Sequence, residues 1–190
     1  KIMNMLVAGV SLWAVVHFIP GLGPSIKQTL VGKIGNGYRG LFALMMILSI
    51  ILMVMGWQAS EPSKVYETLA SAPLVSKIIM FVALFLIACA KGQATIRRHI
   101  RHPMLMGVGL WAAAHLLSNG DDRSVILFGG LLLWALLEMM IINKREGAWQ
   151  KPEPAPLSKD IRKLVSTAVL YSALFFAHPY FTGVALYPLG

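Results

Sequence analysis

Six apolar runs divide the chain, separated by short stretches that hold nearly all of its charge. They cover about residues 2–19, 38–57, 74–90, 103–118, 124–142 and 164–187. A helix needs about 20 such residues to cross a hydrocarbon core of ~30 Å. Lipid gives a backbone amide no partner, so only helices and closed barrels cross it. These runs are continuous rather than alternating, which selects helices. The expected fold is therefore all-α: one polytopic domain over residues 1–190 with about six transmembrane helices. The fourth run is short for a span. Pro20-Gly-Leu-Gly-Pro24 is expected to stop the first, and Pro179 to kink or end the sixth. The first run has no small-x-small cleavage site, so it reads as a retained span and not as a signal peptide.

Composition agrees. The chain is 57% hydrophobic and only 13% charged, where a soluble domain is about a quarter charged. Two segments between the runs have their own character. In residues 25–37, Ile26, Leu30, Val31 and Ile34 recur at helical spacing, with Lys27 and Lys33 off that stripe. That pattern suits a helix lying at the membrane interface. Residues 151–156, Lys-Pro-Glu-Pro-Ala-Pro, read as an extended polar linker on the cytoplasmic side.

Charge gives the orientation. Thirteen of the 17 basic residues fall in three connections, those after the first, third and fifth runs. The opposite side holds Lys1, Lys64, Lys77 and Arg123, together with Glu61, Glu67, Asp121 and Asp122. The positive-inside rule then places the basic loops in the cytoplasm and both termini in the periplasm, in a bacterial inner membrane. The net charge of +9 matches an anionic leaflet, and the bilayer is the expected partner. Nucleic acid is excluded, because no aromatic residues interleave with the basic ones.

Few residues in the runs can carry chemistry. His17 ends Leu12-Trp-Ala-Val-Val-His17, and His115 ends Leu110-Trp-Ala-Ala-Ala-His115. An ionisable group at membrane depth is a functional candidate by default. Imidazole binds metals and can hold haem iron axially. The plainer alternative is a hydrogen bond to a neighbouring helix. His178, near the outer end of the sixth run, is a third candidate. Arg97, Arg98 and Arg101, with His99 and His102 beside Pro103, surround the start of the fourth run. They read either as anchors of a helix start or as an anion site at a helix N-terminus. Glu138 can snorkel to the interface, pair with the basic loop or handle protons. Cys89 reads as an inert buried thiol, and no CxxC or zinc spacing occurs. The 11 methionines read as core filling and not as copper ligands. Asn119-Gly-Asp121 is a turn on the outer side.

Several of these residues form a familiar set. Val15-Val-His17, Tyr38-Arg-Gly-Leu-Phe42, Arg101-His-Pro-Met104 with Gly107, Leu110-Trp111, Ala114-His-Leu-Leu117 and Asn119-Gly-Asp121 closely resemble the NnrU family. The resemblance spans most of residues 1–145 and is most specific over residues 98–121. That family is named from genes of bacterial nitrite and nitric oxide reduction. It is related to 15-cis-zeta-carotene isomerase, a membrane enzyme with haem b. The resemblance implies haem b held by His17 and His115. Counted at ~1.5 Å per residue, the depths of those two disagree by about 10 Å and His178 matches His115 better, which makes it the alternative ligand. Arg97, Arg98, Arg101 and His102 would lie at the cofactor's propionates. A redox or haem-handling role follows, with a hydrophobic small molecule or a membrane redox protein as partner. A second implication is isomerisation of a polyene lipid. Against it, Ala112 stands where the isomerase has a cysteine one turn before the second ligand. Arg-His-Pro-x-x-x-Gly is also similar to membrane methyltransferases that use S-adenosylmethionine. Those carry Tyr where this chain has Leu105, and a Glu-rich segment that here is reduced to Asn143-Lys-Arg-Glu146.

Overall fold

The computed structural model describes residues 3–186. Its helices are α1 (Met3–Leu22), α2 (Pro24–Ile34), α3 (Gly37–Ala59), α4 (Ala72–Cys89), α5 (Pro103–Ser118), α6 (Asp122–Ser124), α7 (Gly130–Glu146) and α8 (Leu157–Thr182). A π-helical turn, Val125–Gly129, joins α6 to α7, so Asp122–Glu146 is one continuous rod. A 3₁₀ turn, Thr95–Arg98, precedes α5. Among the described residues, four helices are long and apolar enough to cross a membrane: Met3–Leu22, Gly37–Ala59, Ala72–Cys89 and Asp122–Glu146. Helix α5 is apolar but has only 16 residues. Helix α8 is long, yet Lys159, Asp160, Arg162 and Lys163 open it, and Ser, Thr and Tyr dilute the rest.

The long helices pack as a row in the order α3, α1, α7, α5, α4, α8. Small residues set the closest seams, as expected where lipid removes the hydrophobic drive between helices. A Cβ on Gly9 would stand 2.8 Å from the Met53 amide nitrogen and 2.9 Å from the Ser49 carbonyl. Gly56 abuts the backbone of Leu6 in the same α1–α3 seam. A Cβ on Gly107 would stand 2.7 Å from the Ala83 carbonyl, in the α4–α5 seam. These pairings also give direction. Gly9 with Met53 and Gly56 with Leu6 make α1 and α3 antiparallel. Val10 with Gly130 and Gly21 with Ile141 make α1 and α7 parallel. Ser76 with Ala114, Trp111 with Phe128, and Lys163 with Ala88 make the α4–α5, α5–α7 and α4–α8 pairs antiparallel.

Successive long helices therefore alternate in direction. The basic connections lie at one end, and the loops before α4 and after α5 lie at the other. At that second end the loops are knitted together. Val65 and Tyr66 donate to the Gly120 carbonyl, the Asp122 amide donates to the Ser63 carbonyl, and the Ser63 amide donates to the Asp122 carboxylate. Arg123 donates to the Trp57 and Ser60 carbonyls and lies 4.4 Å over the Trp57 ring.

Three expected boundaries move. Helix α1 runs through Pro20 to Leu22, because a proline in the final turn forfeits a single backbone bond. Helix α8 starts seven residues before the expected run, after Pro156, with Asp160 in its first turn where the helix dipole favours an acid. It also passes Pro179 and ends at Gly183, whose φ of +75° suits glycine. Helix α2 has no buried residue and stops at Gly35, short of residue 37. Ile2 and Tyr187, the limits of the first and sixth expected runs, lie outside the described residues.

Candidate functional site

His17 and His115 share one local arrangement. Each lies four residues after a tryptophan, and helical geometry points its ring back along its own helix. His17 Nδ1 donates to the Trp13 carbonyl at 2.9 Å. His115 Nδ1 donates to the Trp111 carbonyl at 2.8 Å. A carbonyl can only accept, so the proton sits on Nδ1 and the Nε2 lone pair is left to bind something else.

Both rings sit among aromatics. His17 lies 4.5 Å from the Trp13 ring, 4.8 Å from Trp134 and 5.4 Å from Phe42. His115 stacks on Phe128 at 4.4 Å and 19°, with Trp111 at 5.0 Å. Phe128 belongs to the π turn, a distortion that often marks functional positions.

The α7 rod measures the depth between the two. His17 is level with Trp134, and His115 with Phe128. Those residues are six apart, or about 9 Å at 1.5 Å per residue. The rings of Trp13, Trp134, Trp111 and Phe128 occupy the region between. Trp13 meets Trp134 edge-on at 5.4 Å, and Trp111 meets Phe128 at 5.1 Å. His178 lies in the last turns of α8. Its Nδ1 is bonded to the Val184 carbonyl at 2.8 Å.

The basic cluster lies at the opposite end of α5 from His115. Arg101 donates to the Gly147 carbonyl at 2.8 Å and meets Glu146 at 3.4 Å. Arg97 donates to the Gly92 carbonyl. Arg98 ends the 3₁₀ turn. His102 Nε2 bonds the Asn143 side chain at 2.8 Å. Together Arg101, His102, Glu146, Trp149 and Gln150 line an open polar pocket of about 360 Å³. Among the described residues, no three His, Cys, Asp or Glu side chains gather as a metal cluster.

Sequence reasoning missed Phe128, Trp134 and Phe42 as partners of the histidines. The adjacent Gly129 and Gly130 were the available hint of a helix distortion. It also missed Tyr66, whose hydroxyl donates to the Leu116 carbonyl and, at 2.7 Å, to the Asn119 carbonyl. Burial, helped by the nearby Asp121 charge, pushes this phenol above its usual 10.0.

The family described as "NnrU protein" matches residues 5–186. The chain belongs to the NnrU family. No curated protein and no solved structure gave a match. In this NnrU member the match covers nearly the whole chain, α8 included, and so reaches well beyond the residues that carry the resemblance in sequence.

Proposed function

We propose that this NnrU-family chain is an integral-membrane haem b protein with a redox or haem-handling role in nitrite and nitric oxide metabolism. One observation carries the reading. Two imidazoles on apolar helices are each fixed by Nδ1 to a carbonyl of their own helix, which leaves Nε2 as the remaining donor, and each ring packs among aromatic side chains. That is the donor chemistry of an axial haem ligand. The donor set fits at each imidazole separately. For both to hold one iron, the four aromatic rings between them have to part. His115 with His178 is the alternative pair. Bound haem would supply a one-electron couple and an iron centre for a small ligand.

The protein's own residues set the surroundings. Trp13, Trp134 and Phe42 around His17, and Trp111 and Phe128 around His115, exclude water and keep the local dielectric low. The Trp13 and Trp111 carbonyls hold the imidazole tautomer. Arg97, Arg98, Arg101 and His102 are suited to propionates only on the inner side, nearer His17 than His115. Ala112 is fully buried before His115 and offers no sulfur ligand, so nothing there favours the isomerase-like reading.

The same proposal includes topology. Helices α5 and α8 cross alongside the four long spans, giving six crossings of a bacterial inner membrane with both termini periplasmic. The support is geometric: α5 lies between α4 and α7 and runs antiparallel to both, while α8 follows α4 from Ala88 to Lys77.

The test is an absorption spectrum of the detergent-purified protein, oxidised and dithionite-reduced, for wild type and for His17→Ala, His115→Ala and His178→Ala. A haem b Soret band that is lost or shifted in His115→Ala and in one of the other two identifies the pair. Absence of haem after haem-supplemented expression overturns the proposal.

A further inference from the structure

Four buried side-chain polar atoms among the described residues lack a hydrogen-bond partner: Trp13 Nε1, Trp134 Nε1, Glu138 Oε2 and Arg123 Nε. The last belongs to the loop end of the molecule, 3.6 Å from Asp121. The other three lie on the packed helices α1 and α7. Trp13 and Trp134 touch each other and both touch His17. Glu138 follows Trp134 by one turn on the same buried face of α7, which also carries Leu131 and Ala135. Trp134 is 5% exposed and Glu138 8%. No Lys, Arg or His stands within 4.0 Å of Glu138 among the described residues.

An orphaned buried donor or acceptor costs about 1–3 kcal/mol, and more if charged. Three of them on two packed helices form a pattern that calls for a complement. That complement must offer acceptor oxygens to two indole N–H groups and a donor or exchangeable proton to a carboxyl oxygen. It must also be flat enough for an aromatic enclosure and apolar enough to arrive through lipid. Ligand sites are built this way, mostly apolar and aromatic with a few converging polar groups.

We propose that Trp13, Trp134 and Glu138 form the head-group site of a lipid-soluble quinone. The indole N–H groups donate to ring carbonyl oxygens, and Glu138 accepts a hydrogen bond from a hydroxyl of the reduced form. His17, half-buried on α1 against Phe42 of α3 and Trp134 of α7, borders the site. The proposal goes beyond the haem reading and does not rest on it.

The test uses the full-length chain in detergent with a short-tailed azidoquinone as photolabel and an unlabelled short-tailed quinone as competitor. Labelled peptides are mapped by mass spectrometry, and haem content is measured on the same sample. Competed label is expected on α1 near Trp13 and on α7 near Trp134. Trp13→Phe, Trp134→Phe and Glu138→Gln each weaken competition about five- to tenfold, the loss of one hydrogen bond. The phenylalanine variants keep a packed ring, and Trp57→Phe, which removes an indole at the loop end under Arg123, leaves competition unchanged. Unaltered competition in all three variants overturns the proposal and leaves ordered water as the partner of these atoms. So does label confined to the lipid-facing side of α3. Competed label in a haem-free protein ends the haem reading and supports this one; haem with no competed label does the reverse.

Discussion

At the scale of single residues, position along a helix decides what a polar side chain does. His17 and His115 each reach the carbonyl four residues back, so a histidine in an apolar run needs no other helix to settle one nitrogen. Tyr66 works differently, since it closes the outer loops by donating to two carbonyls at the end of α5. Its removal is expected to cost about 0.5–1.5 kcal/mol, the usual net worth of a hydrogen bond. A detergent-unfolding titration of Tyr66→Phe near neutral pH reads this as an earlier midpoint. The pH dependence has a defined sign. The folded phenol is raised above 10.0, so its contribution is complete below about pH 10 and is lost as pH climbs through the folded value. The gap between wild type and Tyr66→Phe should therefore close in strong alkali. A gap that widens there would contradict the assignment.

At the scale of elements, the seams are set by what is missing at a glycine. Gly107 lets α5 approach α4 until a Cβ would press on both the Ala83 carbonyl and Ile87. Gly107→Val forces these helices apart and is expected to cost about 1–3 kcal/mol. Thermal unfolding in detergent should show a lowered midpoint, whereas Gly32→Ala, at a position with nothing within 4 Å, should show little. Helix α8 is held by polar contacts instead. Lys163 donates to the Ala88 carbonyl at 2.6 Å and the Lys91 carbonyl at 3.0 Å, where a cation favours the end of α4. Asp160 accepts from the Thr95 hydroxyl and amide, which hold its carboxyl below the ordinary range. The fixed start of α8 comes from these long-range bonds, and no local hydropathy pattern encodes them.

At the scale of the whole molecule, alternating helix directions put the basic connections together at one end. With six crossings, an impermeant maleimide should label Lys64→Cys in intact spheroplasts and Lys151→Cys only after lysis. Cys89 is fully buried and contributes little background. Labelling of both positions in intact spheroplasts would mean that fewer helices cross. The candidate site depends on this scale as well, because its parts come from α1, α3, α5, the π turn and α7.

The all-helical class, the apolar runs, the short helix α2 and the two histidines as candidates were legible in the sequence. Continuous apolar runs, helical spacing and charge bias are local properties, and lipid leaves few ways to satisfy a backbone. The order α3, α1, α7, α5, α4, α8 was not legible, nor were the π turn or the rings that enclose each imidazole. These follow from which faces fit, through glycines whose neighbours lie far away in the chain. The depth offset between His17 and His115 was foreshadowed by counting residues. Only the tertiary structure filled the gap between them with four aromatic rings and left Trp13, Trp134 and Glu138 buried without partners. Ring packing and unsatisfied hydrogen bonds are properties of assembled helices, and no single segment contains them.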